Sequence, residues 1–112
     1  MSAPDLDVAR VRRFAETRVP EHARHQVRME ATVRGNSVTL AERRIPWHED
    51  FGPEWSTHPV AQLRWSPQLK TWGLYWRDRN TRWHAYPDCE PTPDLVRLLD
   101  EIDTDPLHVF WG

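Results

Sequence analysis

Residues 26–44 read QVRMEATVRGNSVTLAERR, and this stretch decides the fold. Val27, Met29, Ala31 and Val33 alternate with Arg28, Glu30, Thr32 and Arg34, the period of a half-buried strand. Gly35-Asn36 interrupts the pattern, and Val38-Thr39-Leu40-Ala41-Glu42-Arg43-Arg44 returns, so the segment predicts a hairpin. One side of that hairpin is apolar and the other is rich in arginine. Antiparallel sheets with one face on a core and the other in water have this signature.

Working outward, Val60 to Trp65, Thr71 to Arg77 and Arg82 to Tyr86 predict a three-stranded meander, with turns at Ser66–Leu69 and at Asp78-Arg79-Asn80-Thr81. Upstream, Val8, Val11, Phe14, Ala15 and Val19 share one side of a helix that Asp5 or Asp7 is placed to cap and Pro20 stops. Downstream, Thr92-Pro93-Asp94 reads as a helix start, with Thr92 as cap. Leu95, Leu98, Leu99 and Ile102 follow at helical spacing up to Pro106, and Val109, Phe110 and Trp111 form a docking tail. The run PWHEDFGPEWSTHP at residues 46–59 has neither period and reads as a long loop. The expected fold is α+β, an antiparallel sheet of about five strands packed on one face by an N-terminal and a C-terminal helix.

Strand parity sorts the side chains. Val27, Met29, Ala31, Val33, Val38, Leu40, Ala61, Leu63, Trp65, Trp72, Leu74, Trp76, Trp83 and Ala85 fall on the side expected to be core. As a core residue, Trp76 truncated to Ala would cost about 3–5 kcal/mol. The opposite side receives Arg28, Arg34, Arg43, Arg64, Arg77 and Arg82 against a single Glu30.

Composition bounds what such a domain does. A chain of 112 residues is expected to form a single domain, 1–112. With 38% hydrophobic residues, seven of them Trp, it has enough apolar surface to exclude a disordered chain. Cys89 is the only cysteine, so there is no internal disulfide and no zinc site with two thiolates. No export signal or membrane span is recognisable, and a reducing cytoplasm is the expected setting. The net charge of -2 hides blocks of opposite sign: residues 10–46 hold nine arginines against four carboxylates, and residues 87–112 hold seven carboxylates against one arginine.

Leu74-Tyr75-Trp76-Arg77-Asp78-Arg79-Asn80 and Arg82-Trp83-His84-Ala85-Tyr86 resemble a bacterial family of domains of unknown function, the one numbered 3024. The likeness extends to Asn36–Leu40, Glu42-Arg43, Pro46-Trp47, Glu54-Trp55, LLDEIDTDP at 98–106 and the final Phe110-Trp111-Gly112. The resemblance implies a small stand-alone bacterial protein and brings no activity or catalytic residue.

Two functional readings of different class remain. In the first, Arg28, Arg34, Arg43, Arg64, Arg77 and Arg82, interleaved with Tyr75, His84 and Tyr86, make a sheet platform for single-stranded nucleic acid, guanidinium groups holding phosphates and rings stacking bases. In the second, Trp47 and Trp55 in the aromatic and acidic loop 46–59, with Arg79, anchor a protein partner. The face reading is preferred, because the six arginines come from five separate predicted strands and share one parity. His48, Glu49, Asp50, Glu54 and His58 are donors without a metal-site spacing, and carboxylates beside Cys89 would raise its thiol pKa. Asp78 reads as a turn residue. The expectation is a protein without catalytic residues, metal or cofactor, and without a membrane partner.

Overall fold

The computed structural model describes residues 3–46, 52 and 54–111. Strands β1 (Val27–Arg34) and β2 (Ser37–Arg44) pair antiparallel, with Val33 opposite Val38 and Ala31 opposite Leu40. Gly35, first of the two loop residues, carries a φ of 58°, the angle a type II′ turn requires at that position. Strands β3 (Ser56–Ser66), β4 (Thr71–Arg77) and β5 (Trp83–Ala85) add in chain order, giving one antiparallel sheet β1-β2-β3-β4-β5. Helix α1 (Asp5–Arg18) precedes the sheet and α2 (Leu95–Thr104) follows it. The architecture is the α+β arrangement expected from the sequence.

The core lies between the sheet and the two helices. Val11, Val38, Leu40, Leu63, Trp72, Leu95, Leu98 and Ile102 are fully buried there, and Trp65, Trp76 and Phe14 pack around them half-buried. Trp72 ties the layers together. Its indole N–H donates to Asp7 of α1 at 2.9 Å, and its backbone exchanges hydrogen bonds with Thr92 just ahead of α2. Among the described residues no helix is long and apolar enough to cross a membrane.

Several boundaries differ from the sequence reading, each for a physical reason. β3 begins at Ser56 rather than Val60. Pro59 had argued for loop, but it sits at a bulge opposite Ala41, where a missing N–H is tolerated, and the bulge lets Val60 and Ala61 both enter the core. Neither Asp5 nor Asp7 caps α1; Asp7 serves Trp72 and Arg10 instead. Thr92 does not cap α2, whose cap position is Asp94. The Thr92 hydroxyl accepts the Asp94 N–H, three residues before the helix begins.

The largest correction concerns β5. A two-residue connection across Asp78–Thr81 would put Trp83 beside Trp76 in the core. The chain instead uses three loop residues, 79–81: Thr81 donates to the Asp78 carbonyl, adopts φ 67°, and lets Asp78 bond Arg82. Arg77 therefore opposes Trp83 and Trp76 opposes His84. A slip of one residue turns every side chain of a strand over. Trp83 and Ala85 thus leave the expected core for the arginine face, while His84 and Tyr86 leave the arginine face for the helix side. With Trp76 only half-buried, the cost expected for Trp76→Ala falls below the core range given above.

Thr81 is β-branched, and the left-handed conformation it holds disfavours a Cβ. Thr81→Gly is accordingly expected to stabilise the protein by about 1 kcal/mol, read as a rise in the denaturant midpoint with an unchanged m-value.

Candidate nucleic-acid interface

The register fixes what the outward face of the sheet carries. One row across the strands is Arg34, Ser37, Arg64 and Gly73, and the next is Thr32, Thr39, Gln62, Tyr75 and Ala85. Beyond that second row, toward the other end of the strands, lie the pair Arg28 and Arg43 and the pair Arg77 and Trp83. A neutral strip of hydroxyl, amide and phenol groups thus runs across the sheet between two banks of arginine. Gln62 donates to Thr39 at 3.0 Å within the strip. Glu30 is the one carboxylate at an outward position of β1, and Arg43 bonds it at 3.3 Å.

Three of these arginines lie over aromatic rings. The Arg64 guanidinium lies 3.9 Å from the Tyr75 ring centroid, Arg28 lies 4.5 Å from Trp55, and Arg77 lies 5.8 Å from Trp83. Each contact is attractive because the π face of an aromatic ring is negative. Gly73 makes the first stack fit: a Cβ there would meet the Tyr75 ring at 3.3 Å, so the missing side chain gives the ring its seat. Hydrogen bonds orient two of the three, since Arg64 Nε donates to Gln62 at 2.6 Å and Arg28 Nε to the Arg24 carbonyl at 3.3 Å. The Nε atoms of Arg43 and Arg77 are shielded from solvent and have no partner among the described residues.

Of the residues the sequence nominated, Arg28, Arg34, Arg43, Arg64, Tyr75 and Arg77 share this face. Arg82 and Arg79 are exposed in the β4–β5 loop, outside the strands. His84 lies on the helix side, stacked on Trp76 at 4.8 Å and bonded to Asp78 at 2.6 Å. That bond and the N–H groups of Arg82 and Asn80 hold the Asp78 carboxyl below its ordinary range, as a turn role requires. Tyr86 is buried, stacked on Phe110 and donating to Glu101 at 2.8 Å; burial first and then that carboxylate push its phenol far above the usual value. Trp83 and Trp55 are the site residues sequence parity missed. The signal for Trp83 was loop length at Thr81, and for Trp55 the extension of β3 back to Ser56.

Trp47, His48, Glu49 and Asp50 lie outside the described residues, and with them one of the three residues of the alternative partner site and most of the loop donors. Trp55, placed against Arg28, belongs to the sheet face rather than to a separate loop anchor. Among the described residues no three His, Cys, Asp or Glu side chains gather as metal ligands. Cys89 is buried, and burial, ahead of the Glu101 charge, raises its thiol pKa.

No curated protein and no solved structure matches this chain. The model of one family, described as a domain of unknown function (DUF3024), matches residues 2–112. That match spans nearly the whole chain, which therefore belongs to the DUF3024 family.

Proposed function

We propose that the outward sheet face binds single-stranded nucleic acid. The observation that carries the reading is the set of guanidinium groups placed over Tyr75, Trp83 and Trp55 on one face. A guanidinium stacked on one side by a ring keeps its N–H edge for phosphate oxygens and its second plane for a base. The neutral strip between the arginine banks supplies donors and acceptors for base edges, with phosphates drawn to either bank. Protein partners are a poorer match to a face with four arginines in excess of its one carboxylate, because interface centres are depleted in charge.

Titration of a fluorescent mixed-sequence oligonucleotide tests this by anisotropy. Wild type is expected to bind at about 50 mM salt, with log K falling against log salt by roughly 0.7 per phosphate contact. The Arg64→Glu, Arg77→Glu double variant is expected to bind about a hundredfold more weakly, with a slope shallower by roughly 1.4. His84→Ala, on the other side of the sheet, is expected to bind as wild type does. Absence of wild-type binding, or equal binding by the folded double variant, would overturn the reading.

A further inference from the structure

Among the described strands, β1 has β2 on one side and no strand on the other. The II′ hairpin determines which backbone groups line that free edge. Its closing pair, Arg34 and Ser37, is a hydrogen-bonded pair, and so at the far end is Gln26, whose carbonyl accepts from Ile45. The even-numbered residues of β1 therefore spend their N–H and C=O on β2. Those of Met29, Ala31 and Val33 point outward to the edge.

Side chains along the exposed half of this edge are self-complementary. Glu30 and Arg34 sit two residues either side of Thr32 on the arginine face. On the helix side Val33 is 37% exposed, and a hollow whose lining includes Val19, Arg24 and Met29, with Arg28 and Glu30 at its strand side, opens beside the same strand. We propose that β1 pairs antiparallel with β1 of a second copy, centred on Thr32. Ala31 and Val33 then exchange backbone bonds across the junction. Glu30 and Arg34 form the closer, non-hydrogen-bonded pairs, so Arg34 of the second copy joins Arg43 on Glu30. Val33 of the second copy lies against Ala31 and diagonally over Met29, at the mouth of the hollow.

Neighbouring registers lack this match. Centring on Ala31 sets Arg28 against Arg34, centring on Glu30 sets that carboxylate against itself, and centring on Val33 pairs no charges. Centring on Met29 needs Arg28, whose guanidinium is already held by Trp55 and the Arg24 carbonyl. Charges on an edge strand repel foreign strands, and here the same charges admit a copy of their own chain. The pairing stands independently of any nucleic acid.

The contact is short, so the association falls in the weak class of interfaces, and sedimentation equilibrium of the untagged protein at about 100 μM reads it. Wild type is expected to approach twice 13.3 kDa. Glu30→Arg and Arg34→Glu should each raise the dissociation constant about tenfold, and the double variant should return it to within about threefold of wild type, because the charges have only been exchanged. Thr32→Cys supplies a second readout. Opposite residues of a non-hydrogen-bonded pair stand about 4.5 Å apart at Cα, within disulfide reach, so mild oxidation is expected to link two chains. Thr39→Cys, one strand inward, is expected to remain single. A 13.3 kDa species throughout, failure of the exchanged-charge variant to recover while folded by circular dichroism, or equal cross-linking through Thr39 would overturn the proposal.

Discussion

Trp72→Ala is expected to remove about 4 kcal/mol of folding stability, the middle of the range for a buried tryptophan. The ring is fully buried between sheet and helices, and an indole contributes some 150–250 Å² of buried surface that no neighbour can replace by local collapse. Truncation also deprives the half-buried Asp7 of its indole donor, which joins the start of α1 to the middle of the sheet. Small domains are stable by about 5–15 kcal/mol, so such a loss is a large part of the total. A denaturant titration followed by far-UV circular dichroism measures it. Trp72→Phe separates the two causes: it keeps most of the packing and loses the N–H donor, so it should lose about 1–2 kcal/mol.

Asp105→Ala is expected to cost about 3 kcal/mol. Asp105 is the buried charged residue at the end of α2, in the left-handed conformation with φ 45°. One carboxylate oxygen accepts the N–H groups of Val109 and Phe110, at 2.9 and 3.2 Å, and the other accepts that of Trp111 at 2.9 Å. The tail so held lays Phe110 on Tyr86 and Trp111 beneath Arg18, with the Trp111 indole donating to the Ile102 carbonyl at 2.7 Å. Removing the carboxylate strands three backbone donors at once and frees the rings they position. Beyond the lowered midpoint, hydrogen exchange at Val109 to Trp111 should accelerate toward that of an unprotected segment, whereas exchange in β2 and β3 should follow global stability alone.

Much of this fold is legible in the residues, because alternation in 27–44 and 71–77 and the Leu95, Leu98, Leu99, Ile102 spacing are each produced by burial of one face. What parity cannot contain is the number of residues in a loop. Thr81 in a left-handed conformation, where glycine is the usual occupant, is invisible to a rule that looks for Gly or Asn. That one residue decides whether Trp83 or His84 and Tyr86 join the arginines. The roles of Asp7 and Asp105 are likewise hidden in the sequence, since a carboxylate near a helix end suggests a cap and carries no mark of the distant N–H it will accept. On the outward face, the arginines of β1 to β4 were placed correctly because the hairpin and the β3–β4 turn hold their register.

The sheet and the helix α2 behind it also differ in sign. Arginine predominates on the outward face, and α2 with its tail, behind the sheet, carries most of the carboxylates of residues 87–112. The molecule therefore has an electric moment directed from α2 through the sheet, although its total charge is only -2. In the field of a polyanion the monopole is weakly repelled while the moment experiences a torque that turns the sheet forward. Orientation would then precede contact: a broad basic surface would gather a polyanion from many directions, whereas this one would favour approach to the sheet face.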